Sequence, residues 1–245
     1  MSPTGFRLYA HRGACLRCPE NSLEAFGLAL EDGANALEMD VHQTSDGHWV
    51  VAHDPDGSRV AGDARPIHSL PLESIKRWRL KGHARMPTLD EVLTAFRKTP
   101  MSIDIKPRNP SLVGTFLDIL QRFGAEDRVT VASFHHSVMK EVHRLGWTGR
   151  TALSRLEVAW LRLLPEELSR RMIRGQSAQI PRSAGPLRLD RNTFIERCRR
   201  LGLRVDYWVI NDPVIAKKLL QQGATGLMSD DPKGIAPVVA AHSQS

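Results

Sequence analysis

The stretch FRLYAHRGACLRCPENSLEAFGLALEDGANALEMDV, residues 6–41, decides the fold. Its first apolar run, at 6–11, is typical of a β-strand. Across 21–34 the apolar residues recur at the spacing of one helix face, and Gly33 is typical of a helix end. A second strand-like run follows at 35–41. The stretch is therefore predicted to form one strand–helix–strand unit of a parallel sheet.

The same alternation continues along the chain, with about eight strand–helix units in all, which favours a TIM (β/α)8 barrel. The 245 residues suit that fold, which typically takes about 250, so a single domain over 1–245 is predicted. A doubly wound open sheet is the alternative, but no G-x-G-x-x-G motif follows the first strand. Residues 54–86 are rich in Gly, Asp, Arg and Pro and are predicted to form a small insertion after the second strand.

Composition and charge narrow the class of protein. The chain is 41% hydrophobic and 25% charged, as expected for a globular protein. Its net charge of +7 comes largely from scattered arginines, which indicates a solvated basic surface, with small anions or lipid headgroups as the favoured partners and no nucleic acid. No stretch approaches the ~20 apolar residues of a transmembrane segment. No signal peptide is recognisable at the N-terminus, so a cytoplasmic location is expected.

Carboxylates share one face of two predicted strands. Alternation along NALEMDV places Glu38 and Asp40 opposite its apolar residues, and along MSIDIKP it places Asp104 beside Lys106. In a barrel the carboxyl ends of the strands meet at one rim, where three carboxylates repel one another unless a cation lies among them. One divalent cation with oxygen ligands, Mg²⁺ or Ca²⁺, is the favoured solution. Ion pairing with Lys106 and Arg12 alone is the alternative.

Two histidines and an arginine are predicted at the same rim. His11 ends the first strand and His53 ends the run VVAH. Imidazole titrates near neutrality, so histidines on two sides of a cleft can serve as an acid and a base. The guanidinium of Arg12 suits a phosphate group, which favours phosphoryl chemistry. Since neighbouring residues of a strand point to opposite faces, a bend at Gly13 is required for both His11 and Arg12 to reach the site.

Cys15 and Cys18 have the C-x-x-C spacing of metal and redox sites. A structural zinc site needs four ligands, usually two such pairs, and the third cysteine of the chain, Cys198, is remote in sequence. Neither zinc nor a disulfide is predicted. The pair flanks the predicted cleft, so its oxidation would be expected to impair the site.

Seven motifs follow in the order seen in the glycerophosphodiester phosphodiesterase family. They are HRG…PENSLEAF, GANALEMDVHQTSDGHWVVAHD, MPTLDEVL, MSIDIKP, VASF, YWVIN and GLMSDDP. The resemblance covers nearly the whole chain and is weakest at 147–190. It implies a TIM barrel with an insertion after the second strand, where 54–86 lies.

The resemblance also implies roles for individual residues. The catalytic acid–base pair of the family is matched by His11 and His53, and the ligands of its one divalent cation by Glu38, Asp40 and Asp104. The residues around the phosphate and metal are matched by Arg12, Glu20, Asn21 and Lys106. Trp208 resembles the tryptophan that lines the glycerol site. The chain departs from the family pattern at three positions: Asp104 replaces the usual glutamate, Val209 a threonine and Ser229 another threonine. The first departure leaves the preferred metal open.

The implied activity is metal-dependent hydrolysis of a small-molecule glycerophosphodiester to glycerol 3-phosphate and an alcohol, in lipid and glycerol metabolism. His11 is assigned as the base and His53 as the acid, although the sequence does not decide between them, and the attacking oxygen is the substrate's own 2-hydroxyl or that of water. Two alternatives stay open. One is a lysophospholipase D in peripheral contact with lipid through the amphipathic segment 156–174, and the other is a non-catalytic anion-binding barrel. The sequence predicts neither the alcohol nor the oligomeric state.

Overall fold

The computed structural model describes residues 5–81 and 83–243. In these residues the strands are β1 (Arg7–His11), β2 (Ala36–Gln43), β3 (Trp49–Val51), β4 (Asp56–Gly57), β5 (Asp63–Pro66), β6 (Met101–Ile105), β7 (Val129–Ala132), β8 (Arg150–Thr151), β9 (Ser177–Ile180), β10 (Ser183–Ala184), β11 (Leu187–Arg188), β12 (Arg204–Tyr207) and β13 (Gly226–Ser229). The α-helices are α1 (Leu23–Glu31), α2 (Ser58–Ala61), α3 (Leu72–Ile75), α4 (Leu89–Ala95), α5 (Val113–Arg122), α6 (His136–Arg144), α7 (Arg155–Leu163), α8 (Glu166–Met172), α9 (Asn192–Arg200), α10 (Pro213–Gln221) and α11 (Pro232–Ser243). Short 3₁₀ turns occur at Ile67–Ser69 and Pro110–Leu112.

The central sheet is a parallel barrel. Its strands follow the order β8-β7-β6-β2-β1-β13-β12-β9, and every neighbouring pair on this path is parallel. A parallel bridge between Ala152 and Ser177 connects the two ends of the path and closes the ring. The predicted TIM barrel is therefore confirmed, and the open doubly wound sheet is excluded.

Side-chain alternation along the strands agrees with the sequence pattern. In β2, Leu37 and Met39 pack under the helices in a large apolar cluster, and Ile103 of β6 joins them there. Glu38 and Asp40 point to the barrel interior, where Asp104 is paired with Asp40 across the β2–β6 ladder. The period of two thus brings the predicted carboxylates to one end of the barrel.

Local sequence signals explain the ends of the helices. Ser22 caps α1, because its hydroxyl accepts a hydrogen bond from the amide of Ala25. A capping box between Thr88 and Glu91 starts α4, with the side chain of each bonded to the backbone of the other. The predicted amphipathic segment 156–174 consists of two helices, α7 and α8. None of the described helices is both long and apolar enough to cross a membrane.

Two segments extend the barrel at the rim that carries the carboxylates. The hairpin β2–β3 turns at Asp46-Gly47, and residues 54–86 follow it with the antiparallel pair β4–β5 and the short helices α2 and α3. This segment has its own small apolar cluster, which includes Ile67, Ile75 and Trp78. On another side, β10 and β11 form a second antiparallel hairpin near α7.

Candidate active site

A left-handed turn follows β1 and redirects the chain. Arg12 has a φ of 59° and Gly13 a φ of 83°. Only glycine fits at the second position, because a Cβ there would lie 2.7 Å from the backbone carbon of Ala25. The turn lets the consecutive side chains of His11 and Arg12 line the same pocket, so the bend predicted at Gly13 is present.

That pocket is a cavity of about 130 Å³ at the carboxyl ends of the strands. Of the predicted site residues, it brings together His11, Arg12, Glu38, Asp40, His53, Asp104, Lys106 and Trp208. The other two, Glu20 and Asn21, line a smaller neighbouring cavity that also borders His53. Asn21 is buried and has a φ of 56°, and neither polar atom of its side-chain amide has a hydrogen-bond partner.

Lys106 is the cation nearest to the carboxylates. Its Nζ lies 2.6 Å from Asp40 Oδ1 and 2.7 Å from Asp104 Oδ2. Arg12 Nε lies 3.4 Å from Asp40 Oδ2. Burial lowers the pKa of Lys106, but the charges of Asp104 and Asp40 outweigh this effect, so its pKa is raised and the ammonium stays protonated.

The ionised forms of Glu38 and Asp104 are disfavoured at this site. Burial, followed by the charge of Asp40, raises the pKa of Glu38. Burial also raises the pKa of Asp104, although Lys106 acts against it. One buried oxygen each of Glu38, Asp40 and Asp104 accepts no hydrogen bond, although that of Asp40 is ion-paired with Arg12 Nε at 3.4 Å. The two pKa shifts and the unpartnered oxygens are what a cluster short of positive charge produces.

The carboxylate oxygens determine whether a divalent cation fits this site. Among residues 5–81 and 83–243, no three His, Cys, Asp or Glu side chains are grouped closely enough to hold a metal ion as they stand. The ammonium of Lys106 lies between Asp40 and Asp104, at 2.6 and 2.7 Å from their oxygens. The unpartnered oxygens of the three carboxylates nevertheless form an all-oxygen set of the kind that Mg²⁺ and Ca²⁺ prefer. The predicted ligands therefore fit the chemistry of such an ion, while its binding and identity stay predictions.

His11 is held by a residue from the opposite end of the chain. Its Nδ1 donates a hydrogen bond of 2.6 Å to Asp230 Oδ1, and its Nε2 lies 3.9 Å from Glu38 Oε2. Burial lowers the pKa of His11, but the hydrogen bond to Asp230 and the charge of Glu38 raise it above its ordinary value. Burial raises the pKa of Asp230, but the hydrogen bonds from His11 and Asn211 hold it at about 2.

His53 is connected to the first loop by a chain of ion pairs. Its Nδ1 donates to Asp54 Oδ1 at 2.7 Å, and Arg59 Nε donates to Asp54 Oδ2 at 2.7 Å. Arg59 also donates to both oxygens of Glu20, at 2.5 and 2.8 Å. Glu20 in turn accepts from Arg12 at 3.3 Å. Each predicted catalytic histidine therefore has a carboxylate at Nδ1, which leaves Nε2 as the nitrogen available for proton exchange.

Three participants were not predicted from the sequence. Asp230 holds His11, Asn211 donates to Asp230 Oδ2 at 2.8 Å, and Arg59 connects His53 to Glu20. Asp230 lies in the closing motif GLMSDDP, directly after a strand, which is the one signal that could have identified it. The thiol of Cys15 donates a hydrogen bond of 3.4 Å to Asp230 Oδ1. Burial raises the pKa of this thiol to about 12. With this pKa the thiol of Cys15 is protonated near neutral pH.

A model of the glycerophosphoryl diester phosphodiesterase family matches residues 11–234. The chain belongs to this family. Family membership confirms the resemblance seen in the sequence and places the chain among the phosphodiesterases, as predicted.

Individual relatives agree with this assignment. The chain is 26% identical over 243 residues to a glycerophosphodiester phosphodiesterase of Caldanaerobacter subterraneus subsp. tengcongensis, which covers 94% of this chain and 96% of that protein. It is 25% identical over 265 residues to lysophospholipase D GDPD3 of Mus musculus, covering 94% of this chain and 80% of that one. A phosphodiesterase of Oleispira antarctica, solved in complex with the product sn-glycerol-3-phosphate, superposes with a TM-score of 0.81 at 24% identity and covers 96% of each chain.

Proposed function

We propose that the chain hydrolyses glycerophosphodiesters to glycerol 3-phosphate and an alcohol in the pocket of His11 and His53. One observation carries the proposal. Two histidines, each bonded through Nδ1 to a carboxylate, line the same small pocket as Arg12, Lys106 and three acidic side chains. This is a set of groups that can bind a phosphodiester and move protons on either side of it.

Arg12 and Lys106 bind the phosphate in this mechanism. Both line the pocket, and both carry a positive charge toward the site where negative charge develops on the phosphoryl oxygens. Glu20 orients Arg12 through its contact at 3.3 Å. Trp208, whose side chain lines the pocket opposite the acids' strands, supplies an apolar wall for the glycerol carbons.

Each histidine takes up or releases a proton through its Nε2 atom. One removes a proton from the attacking hydroxyl, which belongs to the substrate's glycerol or to water, and the other donates a proton to the departing alcohol. Attack by water gives glycerol 3-phosphate directly. Attack by the glycerol 2-hydroxyl gives a cyclic phosphate, which water then opens to glycerol 3-phosphate with the acid and base roles reversed. Asp230 and Asp54 fix the tautomers, because each accepts the Nδ1 hydrogen of its histidine. We assign His11 as the base and His53 as the acid, as predicted from the sequence.

Glu38, Asp40 and Asp104 would hold one divalent cation, Mg²⁺ or Ca²⁺. Such an ion, when bound, neutralises charge on the phosphate and polarises its oxygens. The buried, unpartnered oxygens of the three side chains support this assignment.

The test is release of glycerol 3-phosphate from glycerophosphocholine, glycerophosphoethanolamine and glycerophosphoinositol, assayed with Mg²⁺, Ca²⁺ or EDTA. We expect release from at least one diester and its loss in EDTA. His53→Ala should reduce turnover by about 10²- to 10⁴-fold, whereas His48→Ala, on the exposed turn of the β2–β3 hairpin, should not. No release from any diester would contradict the proposed activity. Release that EDTA leaves unchanged would contradict only the requirement for a divalent cation.

A further inference from the structure

A cavity in the outer layer of helices is separate from the catalytic pocket. It has a volume of about 210 Å³ and is bounded by α6, α7 and the segment at the end of α8. The described residues that line it do not include any that line the catalytic pocket. Four of them recur along α6 at the spacing of one helix face, and they are His136, Met139, Lys140 and His143. We call this space the helix cavity.

Three polar side chains of the helix cavity have no partner in the part of the chain that the structure describes. The Nε2 atom of His143 is buried and makes no hydrogen bond. The ammonium of Lys140 and the guanidinium of Arg174 line the same space and form neither an ion pair nor a hydrogen bond there. A buried polar atom without a partner is unfavourable unless a ligand or water supplies one.

Glu157 is the acidic residue of this lining, and its carboxylate is already bonded elsewhere. Oε2 accepts hydrogen bonds from the amide and the hydroxyl of Ser154, at 2.9 and 2.7 Å. Oε1 accepts one of 2.9 Å from the amide of Arg174. These bonds form the capping box that starts α7, and Glu157 is buried in it. The helix cavity thus has two cations against one carboxylate, and that carboxylate bonds to neither of them.

Charge in the helix cavity distinguishes between a metal ion and an anion as its occupant. Two histidines and a glutamate line the space, but the described residues contain no group of three ligating side chains that could hold a metal ion. Nδ1 of His136 is bonded to the hydroxyl of Ser154 at 3.0 Å. A metal ion would also be repelled by the two unpaired cations, whereas an anion would be attracted by both.

We infer that the helix cavity binds a small oxyanion, a phosphate or a carboxylate on a short carbon skeleton. Lys140 and Arg174 pair with its oxygens, and His143 donates a hydrogen bond to it from Nε2. Burial lowers the pKa of His143, so its ring is neutral near pH 7 and the anion favours the tautomer with the hydrogen on Nε2. Trp160 and Met139 supply the apolar wall for the carbon skeleton. The inference is independent of the proposed function.

The experiment follows the imidazole nitrogens by two-dimensional ¹H–¹⁵N NMR while inorganic phosphate, glycerol 3-phosphate or malonate is added at pH 7. Sodium chloride at equal ionic strength is the control anion, and the signals of His143 are assigned by their loss in His143→Gln. The test variant is Lys140→Gln/Arg174→Gln, in which both replaced side chains are exposed. Arg97→Gln/Lys98→Gln is the matched control, because it removes the same charge from exposed residues that line neither cavity.

We expect the His143 signals to shift and saturate with at least one of the three oxyanions, with a Kd of about 1 mM or tighter, and not with chloride. The Kd should rise at least about tenfold in Lys140→Gln/Arg174→Gln and stay unchanged in the control variant. A response to the two phosphates alone, or to malonate alone, would identify the class of oxyanion.

The same spectra separate this site from the catalytic pocket, because His11 and His53 report on that pocket. A response of His11 and His53 without one of His143 up to about 50 mM oxyanion would overturn the inference and leave the proposed function intact. The inference would also be overturned if Lys140→Gln/Arg174→Gln kept the Kd of the wild type.

Discussion

Asp230→Asn probes the shortest contact made by either histidine. Asp230 accepts a hydrogen bond of 2.6 Å from His11 Nδ1 and one of 2.8 Å from Asn211. Asparagine keeps the size of the side chain and removes its charge. The imidazole then loses the anion that fixes its tautomer and stabilises its protonated form.

The size of the effect follows from the type of bond that is lost. A hydrogen bond to a charged group contributes about 1.5–3 kcal/mol, and at ~1.36 kcal/mol per tenfold in rate this corresponds to a fall in kcat of about 10- to 150-fold. Asp231→Asn is the matched control, because Asp231 accepts from the amide of Gly234 at the start of α11 rather than from a histidine. It should change kcat by no more than about twofold.

The assay is initial-rate release of glycerol 3-phosphate from glycerophosphocholine, with the melting temperature of each variant measured alongside. A folded Asp230→Asn enzyme that keeps the kcat of the wild type would show that the Asp230 charge does not support His11 in catalysis. So would an equal loss in both variants, since the effect would then come from the neighbourhood of α11 rather than from His11.

Two further predictions concern ion pairs between arginine and carboxylate side chains. Arg59→Lys removes the bidentate bond to Glu20 and the bond to Asp54, so kcat/KM measured by steady-state kinetics should fall about tenfold. Arg65→Lys is the control. Its partner Asp63 lies away from the pocket, so kcat/KM should not change. Equal values for the two variants would contradict a positioning role for Arg59. The hydrogen bond from Arg188, then that from Arg182, holds the pKa of Asp190 below its ordinary 3.8, so these bonds stabilise the folded chain above that pH and lose this effect as the pH falls through the lowered pKa. Asp190→Asn should therefore lower the free energy of unfolding by about 1–2 kcal/mol at pH 7 and by less at pH 3, as measured by urea denaturation, and an equal difference at both values would show that its charge is irrelevant.

The part of the fold and site that could be predicted depends on periodicity. Apolar and polar residues alternate at 37–42 in β2 and throughout β6, and one face must pack under helices, so the inward direction of Glu38, Asp40 and Asp104 follows from the sequence. His11 was predicted at the rim because it ends a strand. The chain reversal after it requires the left-handed φ of Arg12, which a sequence pattern does not encode.

Contacts between distant segments explain the rest. Asp230 is 219 residues from His11, and the two meet because β13 pairs with β1 when the barrel closes. Arg59 reaches Glu20 from a segment without a regular periodic pattern. In the region 147–190, strands as short as β8 and β10, two residues each, leave too few positions for a period to be recognised.

Phosphorus NMR of glycerophosphocholine tests the central claim most directly, because it observes the diester and the monoester product in one sample. With the wild type and a divalent cation, we expect the signal of glycerol 3-phosphate to replace that of the diester. With a folded His11→Ala/His53→Ala double variant, the diester signal should persist. An unchanged diester with the wild type, or full conversion by the double variant, would contradict the assignment of this pocket as the site of hydrolysis.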